Sequence, residues 1–73
     1  MTSAVRALRG ATTIESDTTD QIRSRTIELL EQMLERNGVN HDDIISVLFT
    51  ATDDIHSMFP ASAARDIGFG DIP

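Results

Sequence analysis

Two stretches decide the fold: Thr18-Thr-Asp-Gln-Ile-Arg-Ser-Arg-Thr-Ile-Glu-Leu-Leu-Glu-Gln-Met-Leu-Glu-Arg-Asn-Gly38 and, after a short polar link, Ile44-Ile-Ser-Val-Leu-Phe-Thr50. At about 100° per residue, Ile22, Thr26, Ile27, Leu29, Leu30, Met33 and Leu34 fall on one arc of a helix. Gln21, Ser24, Arg25, Glu28, Glu31, Gln32, Glu35 and Arg36 occupy the other side, the pattern of a helix that buries one stripe. The spacing predicts a helix over residues 19–37. Thr18 followed by Gln21 fits a capping box, and Asp20 lies in the first turn, where the helix dipole favours negative charge. Gly38 supplies a left-handed stop, and Val39 makes the apolar contact that accompanies it. Only Arg23 intrudes on the apolar arc; near the helix start its stem can lie along the core while its head reaches water.

The second stretch places Ile45, Val47 and Phe49 on one face and Ile44 and Leu48 on the other, which predicts a strand covered on both sides. Upstream, Ala4-Val-Arg-Ala-Leu8 alternates and is followed by Arg9 and Gly10, which suits a strand with Arg6 and Arg9 on opposite faces. Residues 11–17 read as extended chain leading into a loop. Strand, crossover helix and parallel strand, with the right-handed connection as default, give an α/β class. Farther on, Thr52 caps a turn through Asp53, Asp54 and Ile55, Pro60 suits a first helical position, residues 61–66 continue a short helix, and Gly68 ends it. Residues 69–73 lead toward another element. Two strands do not make a stable sheet, so further strands are expected from other subunits or from more chain.

The chain has 73 residues, 40% of them hydrophobic, which bounds it to one small domain. A chain of this size buries only about 62% of its unfolded surface, and without cysteine it has neither a disulfide staple nor a thiolate metal site. Partner subunits are therefore expected. The net charge is −6, with six arginines, no lysine and twelve carboxylates, so a nucleic-acid surface is not expected. Two arginines interrupt the N-terminal segment and no apolar run reaches spanning length, so neither an export signal nor a membrane span is read, and the expected location is the cytoplasm.

Arg9, before Gly10, is a candidate anion ligand, because a guanidinium grips a carboxylate through two parallel hydrogen bonds; the plain alternative is a surface ion pair. Arg65 is a similar candidate beside its ordinary role at a helix end. His56 has no serine or cysteine elbow to activate, and a structural role is expected. Asp42-Asp43 and Asp53-Asp54 lack the spaced oxygen ligands of a calcium loop and read as helix-start and turn residues. Phe59 is expected in the core, at a subunit interface or in an apolar pocket. Gly68 and Gly70 do not match a phosphate loop.

Taken together, Arg9-Gly-Ala-Thr-Thr-Ile-Glu15, the capped helix ending at Asn37-Gly38, and Thr50-Ala-Thr-Asp-Asp-Ile-His-Ser-Met-Phe-Pro-Ala-Ser-Ala-Ala-Arg65 resemble the small trimeric chorismate mutases of the α/β-barrel type. The resemblance runs from about Val5 to Pro73. It implies a strand-helix-strand unit of a mixed sheet, a pseudo α/β barrel formed in a homotrimer, and active sites between subunits. It also implies the rearrangement of chorismate to prephenate without a cofactor or metal, in aromatic amino acid biosynthesis. By resemblance Arg9 holds substrate in one subunit's wall, while Phe59, Ala61 and Arg65 face the pocket from the neighbour. Ser62 departs from the family pattern, standing where some members have a lysine. The family's glutamate, its second arginine and its tyrosine have no counterparts in residues 1–73, so the chain is read as one domain, the N-terminal portion of such an enzyme, truncated at its C-terminus. The alternative reading is a non-catalytic oligomeric module that binds a small carboxylate metabolite.

Overall fold

The computed structural model of the chain describes residues 5–73, in which two α-helices and one 3-10 turn are the regular elements. The first helix, α1 (Thr19–Asn37), has the expected bounds. The Thr18 side chain accepts from the Gln21 backbone N–H at 3.2 Å, while the Gln21 amide oxygen accepts from the Glu15 N–H rather than from the cap residue itself. Gly38 ends the helix in the left-handed region at φ 62°. Its N–H donates to the Glu35 carbonyl and that of Val39 to the Leu34 carbonyl, satisfying two of the orphaned acceptors of the last turn.

The buried residues of α1 are Ile22, Thr26 and Leu30, at a spacing of four. Against this stripe packs α2 (Pro60–Asp66), whose buried residues are Ala63 and Ala64. Small side chains at that contact let the two helices approach closely. Arg23, the intruder in the apolar arc, turns out to face α2, where its Nη1 meets the Asp66 Oδ2 at 2.7 Å. Both side chains remain partly in water, so the pair orients the helices more than it stabilises them. Leu30, Ala64 and Phe69 form the core cluster, with Leu34, Ile44, Val47, Phe49, Ile67 and Ile72 half-buried around it.

The expected α/β class is overturned: among the described residues there is no strand. Of the first expected strand, Ala4 lies outside the described residues, and Val5 to Leu8 run exposed with no backbone hydrogen bond to another described residue. In residues 44–50, Ile44, Val47 and Phe49 lean on the core while Ile45 and Leu48 stand 66% and 92% exposed. A strand exists only through a ladder of paired backbone groups, and among the described residues this segment has a single tie of this kind, Val47 N–H to the Pro73 carbonyl at 2.8 Å. The apolar pattern is therefore met by packing on one side only. The polar link read as a plain turn holds a 3-10 turn (His41–Asp43), and His41 Nε2 donates to the Gly68 carbonyl at 2.8 Å. Its ring meets that of Phe69 edge-on, with centroids 4.7 Å apart.

The chain is correspondingly open. It measures 47 × 20 × 19 Å, with a radius of gyration of 13.1 Å against about 11 Å for a compact chain of this length. Its accessible surface is 5947 Å², roughly a third more than the 4,450 Å² expected of a compact folded chain.

Candidate functional site

Arg9 is exposed at the end of an extended segment whose Gly10 lies close on α1. A Cβ at Gly10 would stand 2.6 Å from the Met33 sulfur and 3.0 Å from a Leu29 methyl, so this glycine permits the close approach that sets Arg9 beside the helix. Phe59 is the N-terminal flanking residue of α2 and is 81% exposed. Pro60 opens the helix where its missing N–H costs nothing, and the Ser62 N–H donates back to the Phe59 carbonyl at 2.9 Å. Ala61 and Arg65 then follow one turn apart on α2.

Of the five residues singled out in the sequence, the fold brings Ala61 and Arg65 into one cleft of about 310 Å³, shared with Val47, Phe49, Phe69 and Ile72. Arg9, Phe59 and Ser62 do not line it. The cleft is an apolar trough with one guanidinium at its rim, a combination that suits a hydrophobic ring bearing a carboxylate. A broader open groove of about 690 Å³ runs along the outer face of α1, but it presents Asp20, Glu28, Glu31 and Glu35 against Arg23 alone and repels anions. Among the described residues neither Arg9 nor Arg65 is in an ion pair, and no group of three or more His, Asp or Glu residues is set to hold a metal ion. Among the described residues no helix is long and apolar enough to cross a membrane.

The loop leading to Phe59 is held from a distance. Asp17 Oδ1 accepts from the backbone N–H groups of His56 at 2.9 Å and Ser57 at 3.0 Å, and the Ser57 hydroxyl donates to the Asp17 carbonyl at 2.7 Å. Thr19 Oγ1 donates to the Ser57 carbonyl at 3.3 Å. The backbone donors of Ser57 and His56 hold the Asp17 carboxyl below its ordinary value of 3.8, outweighing a small desolvation effect in the other direction. Asp54 is lowered as well, by the Thr52 hydroxyl first and by its own backbone N–H second. His56, expected to be structural, contributes its backbone N–H to this knot. In the sequence Asp17 stands at the end of residues 11–17, the extended chain leading into a loop before the Thr18 cap. Nothing in the spacing marks its partners, which lie about forty residues on.

Comparison with known proteins sets these residues in context. The family described as chorismate mutase type I matches residues 5–73. The chorismate mutase AroH of Thermus thermophilus is 49% identical over 70 residues, covering 94% of this chain and 57% of that protein. AroH of Bacillus subtilis is 43% identical over 63 residues, covering 86% of this chain and 50% of that protein. The chain thus spans about half the length of the curated relatives it matches. Among solved structures, a chorismate mutase from Clostridium thermocellum superposes with a TM-score of 0.79 at 46% identity, over 84% of this chain and 55% of that one.

Proposed function

The chain belongs to the chorismate mutase type I family, and from that premise we propose that it acts in a chorismate mutase, an isomerase converting chorismate to prephenate in aromatic amino acid biosynthesis. The observation that carries the reading is the family match over residues 5–73, within which Arg9, Phe59 and Arg65 stand exposed and Arg9 and Arg65 are without ion-pair partners among the described residues.

The conversion is an intramolecular rearrangement with no covalent enzyme intermediate, so the protein's task is to hold a flexible dianion folded and to stabilise charge at the breaking C–O bond. Fixed cations in a partly dry pocket do both. Orientation removes an entropic part of the barrier, and preorganised donors bind the transition state more strongly than the ground state. Arg9 is the cation of one wall and grips a substrate carboxylate through its fork of donors. Phe59, Ala61, Ser62 and Arg65 make the opposite wall from a neighbouring copy: Phe59 excludes water, Ala61 leaves room for the ring, and Arg65 supplies the second positive charge. Ser62 offers a hydroxyl but no charge, which weakens capture of the dianion.

A site divided between copies requires assembly, and a homotrimer in the cytoplasm is the form we propose. The open shape supports it, as do Val5, Leu8, Ile45, Leu48 and Phe59, large apolar side chains that the single chain leaves exposed. The test is kcat/KM for chorismate in the native protein and in Arg9→Ala and Arg65→Ala, with assembly checked for each. A fall of at least about tenfold in each variant is expected. Near-normal turnover by a properly assembled Arg9→Ala protein removes Arg9 from the site.

A further inference from the structure

We propose that Asp17 is a positioning residue for the substrate site: it fastens the loop that carries Phe59 to the start of α1, and so holds one wall of the site in place without touching substrate. The inference rests on the reading of Phe59 and Arg65 as site residues and adds to it the device that sets where they stand.

Phe59 cannot hold its own position. The residue is 81% exposed, so packing within the chain does not fix it, and its place follows from the backbone on either side. On the C-terminal side that backbone enters α2 through Pro60, whose φ is restricted. On the N-terminal side Ser57, two residues earlier, is tied at its N–H, its hydroxyl and its carbonyl to Asp17 and Thr19, with the His56 N–H as a fourth tie. Among the described residues these are the side-chain hydrogen bonds that join residues 52–59 to other segments. Segments 38 to 40 residues apart in sequence are brought together by them. Asp17 is the hub because its carboxylate accepts two adjacent backbone N–H groups through a single oxygen, and hydrogen bonds to an ionised acceptor are the stronger kind.

Within each copy the same knot ties together the two segments it contributes, Arg9 to one site and Phe59 to the neighbouring one. Residues 9–17 carry Arg9 at one end and Asp17 at the other, while Thr18 and Gln21 fix the latter end to α1. Displacing the loop at 56–57 therefore moves Phe59 and the first turn of α2 against the frame on which Arg9 sits. In a reaction that depends on holding one conformer of its substrate, a shift of about 1 Å is enough to cost rate far more than binding.

The experiment compares the native protein with Asp17→Ala, Asp17→Asn and Arg9→Ala, measuring kcat, KM, thermal midpoint and assembly for each. Asp17→Asn keeps an oxygen that can accept both N–H groups and removes only the charge. The expected result is that Asp17→Ala lowers kcat on the order of tenfold with KM changed less than about threefold, and that Asp17→Asn recovers most of the loss. A lowered thermal midpoint with unchanged kcat in Asp17→Ala, beside an impaired Arg9→Ala, overturns the positioning role and leaves the site reading standing. Normal turnover in Arg9→Ala as well overturns both. If Asp17→Ala does not fold, Ser57→Ala, which removes the hydroxyl tie to the Asp17 carbonyl, decides in its place: an unchanged kcat overturns the role, and a kcat reduced at near-constant KM supports it.

Discussion

Replacing Leu30 by alanine tests whether the contact between α1 and α2 is the core of this chain. Leu30 is 6% exposed and lies in the cluster with Ala64 and Phe69. The substitution removes three carbons, each contributing about 0.8 kcal/mol when buried, so the transfer loss alone is about 2.4 kcal/mol. A cavity adds to this only as far as the surroundings fail to close. Here the surrounding Leu34, Ile44, Val47, Phe49, Ile67 and Ile72 are half-buried and free to shift, which holds the cost near the lower end of the usual range for such changes. The expected loss is about 2.5 kcal/mol, about sixtyfold in the unfolding equilibrium. In a chain of this size that lowers the thermal midpoint by roughly 10 to 20 °C. Urea unfolding followed by far-ultraviolet circular dichroism at one protein concentration measures it. A loss below about 1 kcal/mol would refute the placement of Leu30 between the helices.

Four further outcomes follow from particular residues. Gly38→Ala forces a side chain into the left-handed region at φ 62° with open space around it, so it destabilises α1 by about 1 kcal/mol through backbone strain alone, readable in the same urea titration. Ala63→Leu places a large side chain where the present one is fully buried against α1; it lowers the melting temperature by overpacking, and an unchanged melting curve would mean that the helices are not in contact there. Leu48→Glu puts a charge on a residue 92% exposed in the single chain, so it leaves helix content intact and shifts the light-scattering mass toward the monomer. On acidification, the stabilisation from Asp17 is fully present above 3.8, its ordinary value, and is lost as pH falls through its lowered folded value, because the folded state holds its proton less tightly than the unfolded one. The stability difference between the native protein and Asp17→Asn is therefore constant near neutrality and vanishes in strong acid. His56, beside Asp17, acts on it in the same lowering direction.

Local signals in the chain were legible where the structure that answers them is local. The helix Thr19–Asn37 is written in its own periodicity, its Thr18 cap and its Gly38 stop, all within one segment. The short helix at Pro60 is legible for the same reason. The strands were not, because an apolar run such as Ile44-Ile-Ser-Val-Leu-Phe specifies that it wants cover and not what covers it. In the single chain it is answered on one side by Leu30 and Phe69, while Ile45 and Leu48 remain in water. For the candidate site, Arg9, Phe59, Ala61, Ser62 and Arg65 came from the resemblance of short motifs, since an exposed arginine has no periodicity to betray it. Asp17 and His41 were missed for a physical reason. Their partners, Ser57 and Gly68, lie far along the chain, and a short polar side chain before a helix looks the same whether it caps a turn or ties down a distant loop.

The central claim is most directly tested by adding chorismate to the native protein and following prephenate by proton nuclear magnetic resonance, with Arg9→Ala in parallel. Prephenate is expected as the only product, formed well above the rate in buffer without any added cofactor, and at a rate at least about tenfold lower in the variant. Chorismate that disappears no faster than in buffer, with protein shown to be folded and assembled, would contradict it.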